Sequence, residues 1–186
     1  MKILSRIFPV MAVALLTSHT VQADSIYDRY FGKTENGKPC YARSYDAAHL
    51  KKHPKQTVQR IEVDYDVKEG DTDRPNSASY FEIGFSFMLK HSKTWNGDAA
   101  YCKTANGFFD CTLDADGGAI HLTPQGDALR LDVINRGGVD KNKDQISVEG
   151  EDGFAGFGKP GGDDLAFVLS RADRAQCDAA SANSGY

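Results

Sequence analysis

The chain has 186 residues, with 26 acidic against 22 basic side chains and a formal net charge of −4. Its 40% hydrophobic and 10% aromatic content is enough for a packed core, which argues against wholesale disorder. A mean hydropathy of −0.47 argues against a multi-pass membrane protein, and an isoelectric point near 5.7 against an electrostatic nucleic-acid binder, which needs a basic face.

Residues 1–23 read as a secretory signal peptide. Lys2 and Arg6 form a positive start, Ile7 to Leu16 an apolar run, and Val21-Gln22-Ala23 a small-residue cleavage point. The apolar run is shorter than the roughly 20 residues a membrane-spanning helix needs. Cleavage near Ala23 removes two basic and no acidic residues, so 20 basic against 26 acidic side chains give −6. The expected mature protein is soluble, acidic, and periplasmic or secreted.

All four cysteines, Cys40, Cys102, Cys111 and Cys177, follow that segment. An even count in an oxidising compartment favours disulfides over metal thiolates. Turn chemistry selects the pairing. Asn106-Gly107 between alternating segments predicts a two-residue type I′ hairpin, because both loop positions need positive φ. Counting outward, Ala105 meets Phe108 and Cys102 meets Cys111, at a Cα separation of about 4.5 Å in a non-hydrogen-bonded pair. Cys40–Cys177 follows by elimination.

Upstream of the hairpin, Ile61 to Val67 alternates and Phe81, Ile83, Phe85, Phe87 and Leu89 mark a long strand. Tyr45 to Lys52, ended by Pro54, is the only helix candidate. Past the hairpin, Phe109, Cys111 and Leu113 share one face. A turn at Asp116-Gly117 sets Leu113 against Ile120 and Cys111 against Leu122. A second turn at Gln125-Gly126 sets Leu122 against Leu129 and Ile120 against Leu131. Strands follow around Ile146 and Val148, Phe154 to Phe157, and Leu165 to Leu169. The expected fold is all-β: a single antiparallel up-and-down barrel or sandwich of about eight or nine strands, disulfide-stapled, with one short N-terminal helix at most. A single β domain would span 24–177, and 178–186 would be a flexible polar tail.

The nearest metal motif is Asp140, Asn142 and Asp144, with Glu151 at the twelfth position of a calcium-type loop. Gln145 stands where the sharp turn of such a loop needs glycine, and turn chemistry explains the same residues. His49 and His53 share a helix face, but Leu50 replaces the glutamate of a zincin. His91 and His121 fall on outward strand positions. No Gly-x-Ser-x-Gly elbow, phosphate loop or dinucleotide fingerprint occurs. The acidic pairs, including Asp64 with Asp66 and Asp163 with Asp164, read as a solvated surface. Trp95 reads as packed against the barrel rim.

No catalytic or cofactor-binding residue stands out and no cofactor is implied. The sequence therefore points to an exported, non-enzymatic β-barrel, a binding or inhibitor module of the cell envelope acting through loops such as 90–98 or 136–145. The expected partner is an envelope protein, a glycan or, if the barrel is hollow, a small apolar ligand; no nucleic acid or membrane span is expected, and the protein reads as a monomer. The alternatives are a metal-dependent hydrolase with a site assembled from distant strands, and a purely structural envelope protein.

Overall fold

The computed structural model describes residues 25–32, 39–65, 77–113, 116–135, 143–150 and 153–184. The expected signal peptide, Asp140, Asn142 and Glu151 lie outside the described residues. In chain order the elements are α1 (Ile26–Phe31), β1 (Cys40–Ser44), α2 (Ala47–Lys52), β2 (Val58–Asp64), β3 (Phe81–Leu89), β4 (Trp95–Ala105), β5 (Phe108–Leu113), β6 (Ala119–Gln125), β7 (Ala128–Ile134), β8 (Ile146–Gly150), β9 (Gly153–Phe157), β10 (Ala166–Arg171) and α3 (Arg174–Ser184). Eight strands close into an antiparallel barrel in the order β1-β10-β7-β6-β5-β4-β3-β2, and β8 pairs with β9 as a separate ribbon. The all-β, up-and-down, disulfide-stapled reading is what the structure shows. The single short helix anticipated is α2; α1 and α3 are additional, and α3 continues to Ser184 through the stretch whose composition suggested only a polar tail.

The Asn106-Gly107 hairpin has the expected register, with Ala105 opposite Phe108 and Cys102 opposite Cys111. Gly107 has a φ of +89°, a conformation that glycine adopts without a Cβ clash. The Cys102–Cys111 disulfide joins Cα atoms 4.0 Å apart, and Cys40–Cys177 joins Cα atoms 6.0 Å apart. The next two registers differ from the expected ones by two residues. Cys111 pairs with Ile120, not Leu122, and Leu122 pairs with Leu131, not Leu129. A shift of two keeps every side chain on its own face, so apolar alternation cannot distinguish the two registers. The turns decide them. Gly126, at φ +66°, opens a two-residue Gly126-Asp127 loop, and Leu113 bonds to Gly118 across a longer connection than an Asp116-Gly117 turn allows.

The interior is filled rather than hollow. Phe81, Ile83, Phe85 and Phe87 recur at period two along β3, all fully buried. At one end α1 supplies Phe31, whose ring lies 5.0 Å from both Phe81 and Phe109. Ser25 caps this helix through its hydroxyl, which accepts from the Asp28 amide, and Tyr30 bonds the Gly126 carbonyl in the β6–β7 turn. At the other end the ribbon supplies Phe157, 4.9 Å from Phe87 and 5.7 Å from Phe167. The ribbon seats on Gly118, where a Cβ would come within 2.2 Å of the Gln145 carbonyl.

Helix α3 packs across the outer faces of β1 to β4. Its buried positions among residues 174–180 are Cys177 and Ala180, and Ala180 clusters with Met88 and Trp95. Trp95 is therefore packed on the outside of the wall, as the first residue of β4. Residues 95–98, expected within a loop, are strand, and His91 sits in the turn at φ +68° rather than on a strand.

Candidate functional site

Helix α3 changes the acidic residues of β2. Glu62 and Asp64 alternate outward as expected, yet both are only 2% exposed because the helix lies over them. Gln176 of α3 donates to Glu62 Oε1 at 3.3 Å, and Arg174 Nη2 lies 3.9 Å from Asp64 Oδ2. Arg174 also bonds Asp178 one turn later, at 2.7 Å. Burial pushes the Glu62 carboxyl up to about 7; the neighbouring Asp64 adds to this, and Gln176 and Arg60 pull the other way. Asp164 is likewise buried instead of solvated. It accepts from the Thr57 amide and hydroxyl, both at 2.6 Å, and from the Val58 amide at 3.2 Å. This carboxylate ties the approach to β10 to the start of β2.

Beside α3, where β1 meets β10, lies an outer groove of about 740 Å³. Cys40, Ala42, Ser44, Ser170 and Ala172 contribute small side chains, and Arg43, Arg171 and Arg174 line it with Gln176 and Asp173. The arginines are held in place. Arg171 Nη2 donates to the Tyr41 hydroxyl at 3.1 Å and its guanidinium lies 5.5 Å from the Tyr41 ring; Arg43 lies 5.1 Å from the Tyr45 ring. Burial raises the Tyr41 phenol, against the pull of Arg171. The Cys40–Cys177 disulfide ties β1 to α3 beside this groove. Its chemistry is that of a preorganised set of hydrogen-bond donors, each guanidinium offering several.

The sequence-derived candidates are dispersed. His49 and His53 share a face of α2, whose cap is Asp46, bonded to the His49 amide at 2.7 Å. Their rings stack at 4.3 Å instead of converging on a point, and His49 continues the stack onto Tyr45 at 4.5 Å. His49 Nε2 pairs with Gln56 Oε1 at 2.9 Å, and His53 Nδ1 lies 4.0 Å from Asp163. His121 faces outward on β6, 3.5 Å from Asp110. Asp144 lies 4.0 Å from Lys159, across the ribbon's root. Among the described residues no three His, Cys, Asp or Glu side chains converge as a metal site, and no helix is long and apolar enough to cross a membrane. The sequence had no signal for the groove. Arg43 stands far from Arg171 and Arg174 in the chain, and only barrel closure by β1 and β10 brings it to them. Compared with family models, curated proteins and solved structures, the chain matches none.

Proposed function

We propose that the protein is an exported, non-enzymatic binding module of the cell envelope, and that it binds through the outer groove between β1, β10 and α3. The observation that carries this reading is the placement of free volume. Aromatic rings fill the barrel axis, while about 740 Å³ lies outside it against donors fixed by aromatic and acidic partners. A stapled frame of this kind loses little conformational entropy when a ligand docks. The filled interior turns the reading away from a small apolar ligand inside the barrel and toward an envelope peptide or glycan on its outside. Export is supported by both disulfides, which persist in oxidising compartments.

Amide chemical-shift mapping of the oxidised protein, titrated with fractionated envelope peptides and glycans, tests this. Saturable shifts centred on Cys40–Ser44 and Ser170–Gln176 are expected. Shifts confined to the far hairpins, or no saturable shift with any fraction, would overturn it.

A further inference from the structure

The two strands that close the barrel also form its weakest join. Every other neighbouring pair in the barrel shares four or more register pairs, whereas β1 and β10 share two, Tyr41 with Arg171 and Ala42 with Ser170. Both strands continue past that point, β1 to Ser44 and β10 back to Ala166. Main-chain groups alternate sides along a strand, so the direction of each is fixed by its neighbours. The Leu165 carbonyl accepts from Val133 of β7, and the Ala172 amide donates to the Cys40 carbonyl of β1. Odd-numbered residues of β10 therefore turn their N–H and C=O groups to β7, and Ala166, Val168 and Ser170 turn theirs to β1. Of these three, Ser170 alone is in register with a β1 residue. On the opposite side the Tyr45 amide donates to Gln59 of β2, which leaves Ser44 facing β10.

The parted seam is open to solvent. Val168 is 39% exposed and Ser44 is exposed. A second pocket, of about 260 Å³, lies between Arg43, Tyr45 and His49 on one side and Ala166, Phe167 and Val168 on the other. Arg43 lines both this pocket and the larger groove. Arg130 also reaches the pocket, but its guanidinium is held by Asp132 at 2.7 to 3.0 Å. Arg43 is thus an exposed cation where the seam parts, in a chain whose net charge is −4.

We infer that the parted β1–β10 seam is a docking slot for an extended peptide segment with an acidic side chain, which adds to the open edge of β10 and sets its carboxylate on Arg43. The inference rests on the groove being the binding surface and names the class of ligand it takes. An extended peptide offers main-chain donors and acceptors at the spacing of the β10 edge, the complement such an edge requires. A glycan offers no such ladder. The carboxylate meets the Arg43 guanidinium as a hydrogen-bonded ion pair.

Residue-resolved amide exchange and binding measurements on the intact oxidised protein test it. In the free protein the Ala166 and Val168 amides are expected to exchange fast and those of Phe167 and Leu169 slowly. The titrants are pools of random hexapeptides with a fixed central Glu, Gln or Lys. The Glu pool is expected to protect Val168 and to bind about tenfold tighter than the Gln pool, and Arg43→Gln to remove that preference. Val168→Pro removes a slot-facing N–H and spares the bonds to β7, so it is expected to abolish binding with the melting temperature held. A protected Val168 amide in the free protein, Glu-pool binding indifferent to Val168→Pro, or full competition by inorganic phosphate alone would overturn the inference. If envelope fractions shift the groove amides while no peptide pool binds, the slot is refuted and the broader binding reading stands. If neither does, both fall.

Discussion

Glu62 lies beneath α3 with one carboxylate oxygen bonded by Gln176 and the other, among the described residues, without a hydrogen-bond partner. Its carboxyl is raised from 4.5 to about 7, so the folded state keeps a proton that the unfolded chain has already released. The folded protein therefore binds more protons between these values, and stability falls as pH rises from 4.5 to about 7, then levels off. The gap corresponds to at most ~3 kcal/mol, reduced by whatever solvation remains. Glu62→Gln is expected to be more stable than the parent above pH 7, by on the order of 1–3 kcal/mol, and to lose that advantage below pH 4.5. Chemical denaturation across this range checks it, and an unchanged difference at both ends would count against a buried, protonated Glu62. Asp164 is the converse case, a carboxylate satisfied by three donors. Asp164→Ala strands the Thr57 and Val58 amides, and a loss of about 2–3 kcal/mol is expected in the same assay.

At the scale of elements, α3 is held by a covalent tie at Cys177 and by the polar set on its first turn. Trp95, the chain's one tryptophan, is buried 9% exposed beneath it. Selective loss of the Cys40–Cys177 bridge, as in Cys40→Ala with Cys177→Ala, is expected to cost about 2–5 kcal/mol. It should also move Trp95 emission to longer wavelength before the barrel unfolds, because the helix is then held only by side-chain contacts. The Cys102–Cys111 bridge spans 9 residues against 137. On the chain-entropy account its removal costs about 2 kcal/mol less than removal of Cys40–Cys177. These elements also show what the sequence discloses. The hairpin at Asn106-Gly107 is legible because the Asn-Gly pair itself marks both loop positions and so admits one register. The two following turns are not, because alternation fixes faces and leaves shifts of two open. Helix α3 is hidden by its Ala- and Ser-rich composition, whose apolar side chains make no strong stripe, and α1 by being a single pair of turns. With α3 unseen, the burial of Glu62 and Asp64 was also unreadable.

For the whole molecule, closure decides where function can sit. The rings of Phe31, Phe81 and Phe109 at one end and Phe87, Phe157 and Phe167 at the other leave the axis filled. Outside it, free volume lies along the β1–β10 join and α3, with a further cavity of about 520 Å³ beside α2. The fold class, both disulfides and the inward faces were readable from local chemistry. The groove was not, since Arg43 meets Arg171 and Arg174 only when the first and last barrel strands pair. Ser170 is exposed within that groove and faces outward beside Ala42, so Ser170→Trp fills it without touching the core. The most direct measurement is the amide-shift titration repeated on this variant with whichever envelope fraction binds the parent. The groove reading predicts that the saturable shifts disappear while the melting temperature holds. The same shifts at the same ligand concentration in Ser170→Trp would contradict it.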